Sequence, residues 1–128
     1  DVLRPAASER FESDNAESVV LELNAATRRI LLTGDLEAEG LRRLLAEPVL
    51  DCDVVLAPHH GSARSNPSGL ARWSRPEWVV VSGRIDAGGS VRDDYRAAGA
   101  EVLETAVVGA VTVTVGRDGD LRVETFRR

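Results

Sequence analysis

Apolar and polar positions change period several times along this chain, and each change marks an element. Val2 to Arg4 is the tail of a strand closed by Pro5, and residues 6–17 are polar and loop-like. Ser18 to Leu23 (SVVLEL) is rich in β formers, and Asn24 to Thr27 forms a turn into a second strand, Arg28 to Thr33. These two segments predict an antiparallel hairpin. Leu36, Leu41, Leu44 and Leu45 then recur at helical spacing until Pro48 stops them, predicting a helix over 36–46. Its early Glu37 and Glu39 and later Arg42 and Arg43 follow the order that the helix dipole favours. Asp53 to Ala57 reads as a buried strand.

The alternation continues through the second half. Asn66-Pro67-Ser68 starts a short helix with Leu70 and Trp73 turned inward, ended by Arg75-Pro76, and Glu77 to Ser82 is a third buried strand. After the glycine-rich Gly83 to Gly89 loop, Ser90 caps a helix carrying Val91, Tyr95 and Ala98, stopped by Gly99. Three β segments finish the chain: 102–104, the alternating 110–115, and 121–126, the last two joined by an Asp118-Gly119 turn. The pattern predicts an α/β chain with a mixed sheet, in one domain over residues 1–128.

A strand, helix and parallel strand bring their strand ends to one edge of a sheet. Thr33-Gly34-Asp35 and Pro58-His59-His60-Gly61-Ser62 therefore meet, and the protein's only two histidines fall in that second loop. Asp35 admits two readings, an N-cap of the helix or a metal ligand. The adjacent histidines likewise admit two readings, a structural loop or a metal site: such a pair before a glycine at a strand end is unusual for mere packing, and imidazole with aspartate oxygen suits zinc or manganese. A serine hydrolase built on Ser62, a histidine and Asp35 is disfavoured: no Gly-x-Ser-x-Gly elbow is present, and Ser62 lies too close in sequence to its base.

Composition narrows the picture. With 43% hydrophobic residues in 128, the chain buries a real core, and no apolar run reaches the roughly 18–20 residues of a membrane span. Net charge of −5 argues against binding nucleic acid by overall electrostatics. Locally the balance reverses: from Val54 to Pro76 the charged residues are Arg64, Arg72 and Arg75, candidate contacts for a phosphate backbone. The single cysteine, Cys52, excludes an internal disulfide and reads as a buried thiol. The first residue is Asp rather than Met, so the chain is expected to be a piece of a longer one. The Gly83 to Gly89 loop lacks the lysine and spacing of a phosphate-binding loop.

"LLTGD" at 31–35 followed by "LAPHHGSARS" at 56–65, with Asn15 to Leu21 before and Val79-Val80-Val81-Ser82-Gly83 and Gly109-Ala110-Val111 after, resembles the metallo-β-lactamase-like domain of ComEC-type DNA-uptake proteins. The resemblance implies that this chain is the C-terminal half of a metallo-β-lactamase αββα sandwich, in a soluble domain of a bacterial inner-membrane protein. It implies a nuclease, a metal-dependent phosphodiesterase, that degrades the strand not transported. Asp35 would bridge two divalent ions (zinc or manganese), with His59 or His60 as a further ligand. DNA and the remainder of the same polypeptide with its membrane channel are the implied partners, and a second copy of the fragment is expected to cover the apolar sheet face that the missing half would bury. Two departures accompany it. The His-x-His-x-Asp-His motif of the family's N-terminal half is absent, so the fragment alone is expected to be inactive, with partial metal binding or none. Where the family carries Gly-His-Pro, this chain has Asp86-Ala87-Gly88-Gly89-Ser90. The alternative reading is a degenerate, metal-free module that binds DNA or the transport channel.

Overall fold

In the computed structural model, which describes residues 1–87 and 89–127, six strands form one sheet in chain order. They are β1 (Val2–Arg4), β2 (Val20–Ala25), β3 (Arg28–Leu32), β4 (Val54–Leu56), β5 (Trp78–Val81) and β6 (Glu101–Glu104). The first three pair antiparallel and β3 to β6 run parallel. This is the mixed sheet of an α/β chain. The parallel half follows from its connections, since helices α1 (Ala38–Leu45), α2 (Ser68–Ser74) and α3 (Val91–Ala97) carry the chain back between strands.

All three helices cover one sheet face, and that face holds the core. Leu31, Val55, Val79 and Val81 point into it and are completely buried. Around Leu31 and Val55 pack Leu36, Leu41, Leu44, Leu70 and Trp73; around Val79 and Val81 pack Ile85, Val91, Tyr95 and Ala100. Burying each such side chain contributes about 1.5–3 kcal/mol. Residues before β2 cross α1 so closely that a Cβ on Gly40 would collide with the Ala16 carbonyl.

The opposite face alternates with it and is covered differently. A short helix α4 (Thr105–Val108), not expected from the sequence, leads into β7 (Ala110–Val115) and β8 (Leu121–Phe126), a hairpin that forms its own two-stranded sheet. Val111 and Val113 lie across from Ile30, Leu32, Leu56 and Val80, leaving a cleft of about 230 Å³ between the layers. Arg28 Nε donates to the Gly119 carbonyl at 2.7 Å, tying the hairpin turn to the start of β3.

Three sequence expectations shift. The first hairpin strand is β2 at 20–25 rather than 18–23, paired Leu21 to Leu32 and Ala25 to Arg28. Helix α1 starts at Ala38, because Leu36 is fully buried inside a turn closed by Leu36 N–H donating to Thr33. The N-cap position is therefore Glu37, and the capping reading of Asp35 fails. Of the predicted Gly83 to Gly89 loop, Gly88 lies outside the described residues.

Candidate functional site

The C-terminal edge of the parallel strands carries the sequence's best motif. Beyond β3 the chain turns at Gly34 with φ 56°, and beyond β4 it enters a 3-10 turn, Pro58–Gly61. One backbone hydrogen bond joins the two turns, His59 N–H donating to the Gly34 carbonyl at 2.9 Å. The fully buried Thr33 adds a second tie, its hydroxyl donating to Leu56 at 2.6 Å.

Within the turn His59, His60 and Gly61 are consecutively left-handed, with φ of 49°, 55° and 78°. For residues bearing a Cβ this conformation costs about 1–2 kcal/mol each. Surrounding structure must hold it. A Cβ on Gly61 would stand 2.9 Å from Val81 and 3.2 Å from Ile85, so the turn is pressed against the end of β5. From beneath, buried Asn66 donates to the carbonyls of Pro58 (2.9 Å) and Ser62 (2.7 Å) and accepts the Tyr95 hydroxyl at 2.7 Å. Burial pushes the Tyr95 hydroxyl pKa up, so it stays a proton donor to Asn66.

The two imidazoles have different partners. His60 Nδ1 lies 2.9 Å from the Ser82 carbonyl, which only accepts, so the ring hydrogen sits on Nδ1 and Nε2 offers its lone pair. That Nε2 lies 3.8 Å from Asp35 Oδ1. The gap is too long for a hydrogen bond and compatible with two donors to one ion, each bound at about 2.1 Å. His59 instead puts Nδ1 3.1 Å from Glu37 Oε2. Holding one ring nitrogen on a carbonyl or carboxylate is the usual way proteins aim the other at a metal. Asp35 and His60 are about half and two-thirds exposed, and so reachable by a substrate.

Asp35, His59 and His60 thus lie together, with His60 rather than His59 facing the carboxylate. Glu37 was missed because a first-turn glutamate reads as an ordinary helix-dipole residue. Among the described residues, no group of three or more His, Cys, Asp or Glu side chains gathers to hold a metal ion. The arginines separate. Arg64 stays exposed on the histidine loop, Arg72 binds Ser68 on the outer face of α2, and Arg75 lines a hollow with Asp51 and Asp53 at the opposite sheet edge.

No family model matches the chain. It is 32% identical over 126 residues to Competence protein ComA of Neisseria gonorrhoeae, covering 93% of this chain and 18% of that protein. It is also 32% identical over 111 residues to Recombination protein 2 of Haemophilus influenzae, covering 83% of this chain and 14% of the relative. A third relative, ComE operon protein 3 of Bacillus subtilis, is 32% identical over 82 residues, 63% of this chain and 10% of its own length. The chain spans less than a fifth of the length of these relatives.

Proposed function

This chain is homologous to one segment of the ComEC-type competence proteins, and on that footing we propose that it supplies half of a metal-dependent phosphodiesterase site acting on DNA during uptake. The half is the C-terminal part of a metallo-β-lactamase αββα sandwich, whose other half lies elsewhere in the intact protein and completes the ligand set. One observation carries the reading: Asp35 and His60 present oxygen and nitrogen lone pairs 3.8 Å apart at a sheet edge, with the His60 tautomer set by the Ser82 carbonyl.

These residues fit a divalent ion as part of a larger set. Asp35 and His60 would hold it, and Glu37 would orient His59 as a further donor. Such an ion, zinc or manganese, supplies Lewis acidity and an activated water at neutral pH. The chain's own contribution is positional. The His59 N–H to Gly34 bond fixes the spacing of the two turns, the Asn66 and Tyr95 network holds the left-handed histidines in place, and partial exposure leaves room for a strand of DNA.

The test is cleavage of a single-stranded oligonucleotide, with manganese or zinc, by the intact protein beside its Asp35→Ala and His60→Ala variants. Cleavage and bound metal should both disappear in the variants. Undiminished cleavage by either would overturn the assignment. The small number of convergent donors favours one rival, a metal-free module that binds DNA or the channel. DNA retention by an intact protein that neither cuts nor holds metal would select it.

A further inference from the structure

The loop after β5 offers a group that the catalytic reading leaves unused. Arg84 is exposed two residues beyond Ser82, the partner of His60, and one residue before Ile85, whose buried side chain faces Gly61. Its backbone neighbours are clamped on both sides: Gly83 N–H donates to Thr105 Oγ1 at 2.8 Å and Ile85 N–H to Glu104 Oε1 at 2.7 Å. The backbone of Arg84 is thereby fixed two residues from the Ser82 carbonyl that holds His60, and its side chain is exposed.

The Arg84 charge helps to hold the Glu104 carboxyl below its usual value, yet Glu104 does not take it as a hydrogen-bond partner. Glu104 is buried and fully engaged, with Oε1 on Ile85 and Oε2 taking Arg92 Nε and Nη2 at 3.1 and 2.6 Å. Asp86 is exposed on the same loop, and among the described residues Arg84 makes no ion pair with it or with any other acid. Arg84, Asp86, Arg92 and Val107 line a cleft of about 330 Å³ beside the strand ends. A guanidinium without a contact ion pair, on a backbone clamped two residues from the Ser82 carbonyl that holds His60, offers the fork geometry that binds phosphate.

We propose that Arg84 binds a backbone phosphate of the nucleic acid strand lying over Asp35 and His60, a specific role that rests on the nucleic-acid reading above. The anchor sits on the β5 side of the site, outside the arginine cluster visible around the histidine loop in the sequence.

The experiment measures binding of the intact protein to a fluorescein-labelled thymidine oligonucleotide across a salt series, without added metal. Arg84→Gln should weaken binding about 3- to 10-fold near 0.1 M salt and reduce the slope of log K against log salt by about 0.7, the loss of one phosphate contact on a single strand. Arg84→Lys should keep the slope, and Arg117→Gln, at the hairpin turn, should change neither quantity. Circular dichroism of each variant checks that the fold survives. A wild-type slope retained in Arg84→Gln overturns the assignment of Arg84 and leaves the nucleic-acid reading standing. If the intact wild-type protein does not bind the oligonucleotide, that reading and this inference both fall.

Discussion

The two edges of the parallel sheet carry similar residue types and use them in opposite ways. At the strand-start edge, Asp53 accepts Arg28 Nη1 and the Arg29 amide, each at 2.8 Å, Glu77 lies 3.5 Å from the same guanidinium, and Glu22 pairs with Arg29 at 2.8 Å. A hollow of about 440 Å³ opens there beside Asp51 and Arg75. That hollow is larger than the cleft of about 330 Å³ beside Arg84, yet Asp53 is engaged in joining β3 to β4. At the strand-end edge, the side chains of Asp35 and Arg84 and the Nε2 of His60 have no hydrogen bonds among the described residues, although the backbone beside them is tied at Gly34, His59, Gly83 and Ile85. The difference teaches that a functional edge is recognised by uncommitted side chains on committed backbone.

Breaking the support should have the largest effect. Asn66→Ala removes the partner of two carbonyls and of the Tyr95 hydroxyl, and should cost roughly 3 kcal/mol in chemical denaturation, given about 1–3 kcal/mol for each orphaned buried group. Loss of the left-handed turn should follow, visible as a changed His60 imidazole NMR signal. A cost below about 1 kcal/mol would show that other contacts hold the loop.

The next comparison sets one carboxylate against the other. Asp53→Ala should destabilise the fold by about 1–3 kcal/mol, since it strands the Arg29 amide and the Arg28 guanidinium. Asp35→Ala should stay within about 0.5 kcal/mol, as expected of an exposed side chain without structural partners. Equal costs in thermal denaturation would erase the contrast between the edges.

A smaller effect appears in acid. Burial pushes the Glu104 carboxyl pKa up, but the Arg92 hydrogen bonds and the Ile85 amide outweigh it and hold the group below its usual value. A carboxylate depressed on folding stabilises the protein above its unfolded pKa, near 4.3, and that contribution is lost as pH falls through the folded value. The stability gap between wild type and Glu104→Gln should therefore be constant near pH 7 and shrink below about pH 4. A gap independent of pH would mean that Glu104 acts through packing alone.

Much of this was legible in the sequence for a physical reason. Strand, helix and strand periodicities force Asp35 and the histidines to one edge whatever the details of the loops, so that juxtaposition was readable from spacing. The choice between His59 and His60 was not, because it depends on a backbone carbonyl, Ser82, from a strand distant in sequence. Nor was the dispersal of Arg64, Arg72 and Arg75, since a seven-residue helix carries Arg72 and Arg75 away from the loop that bears Arg64. Glu37 took the N-cap position because Leu36 was drawn into the core, a tertiary effect that overrode the local signal at Asp35.

Among the described residues the terminal hairpin shares no ladder hydrogen bonds with the six-stranded sheet and meets it through side chains and the Arg28 to Gly119 contact. In amide hydrogen exchange the molecule should accordingly behave as two cooperative units, with the amides of 110–126 opening together at a lower free energy than those of the parallel strands. The sheet face beneath it would then be shielded by a cover that lifts without unfolding the edge on which Asp35 and His60 stand.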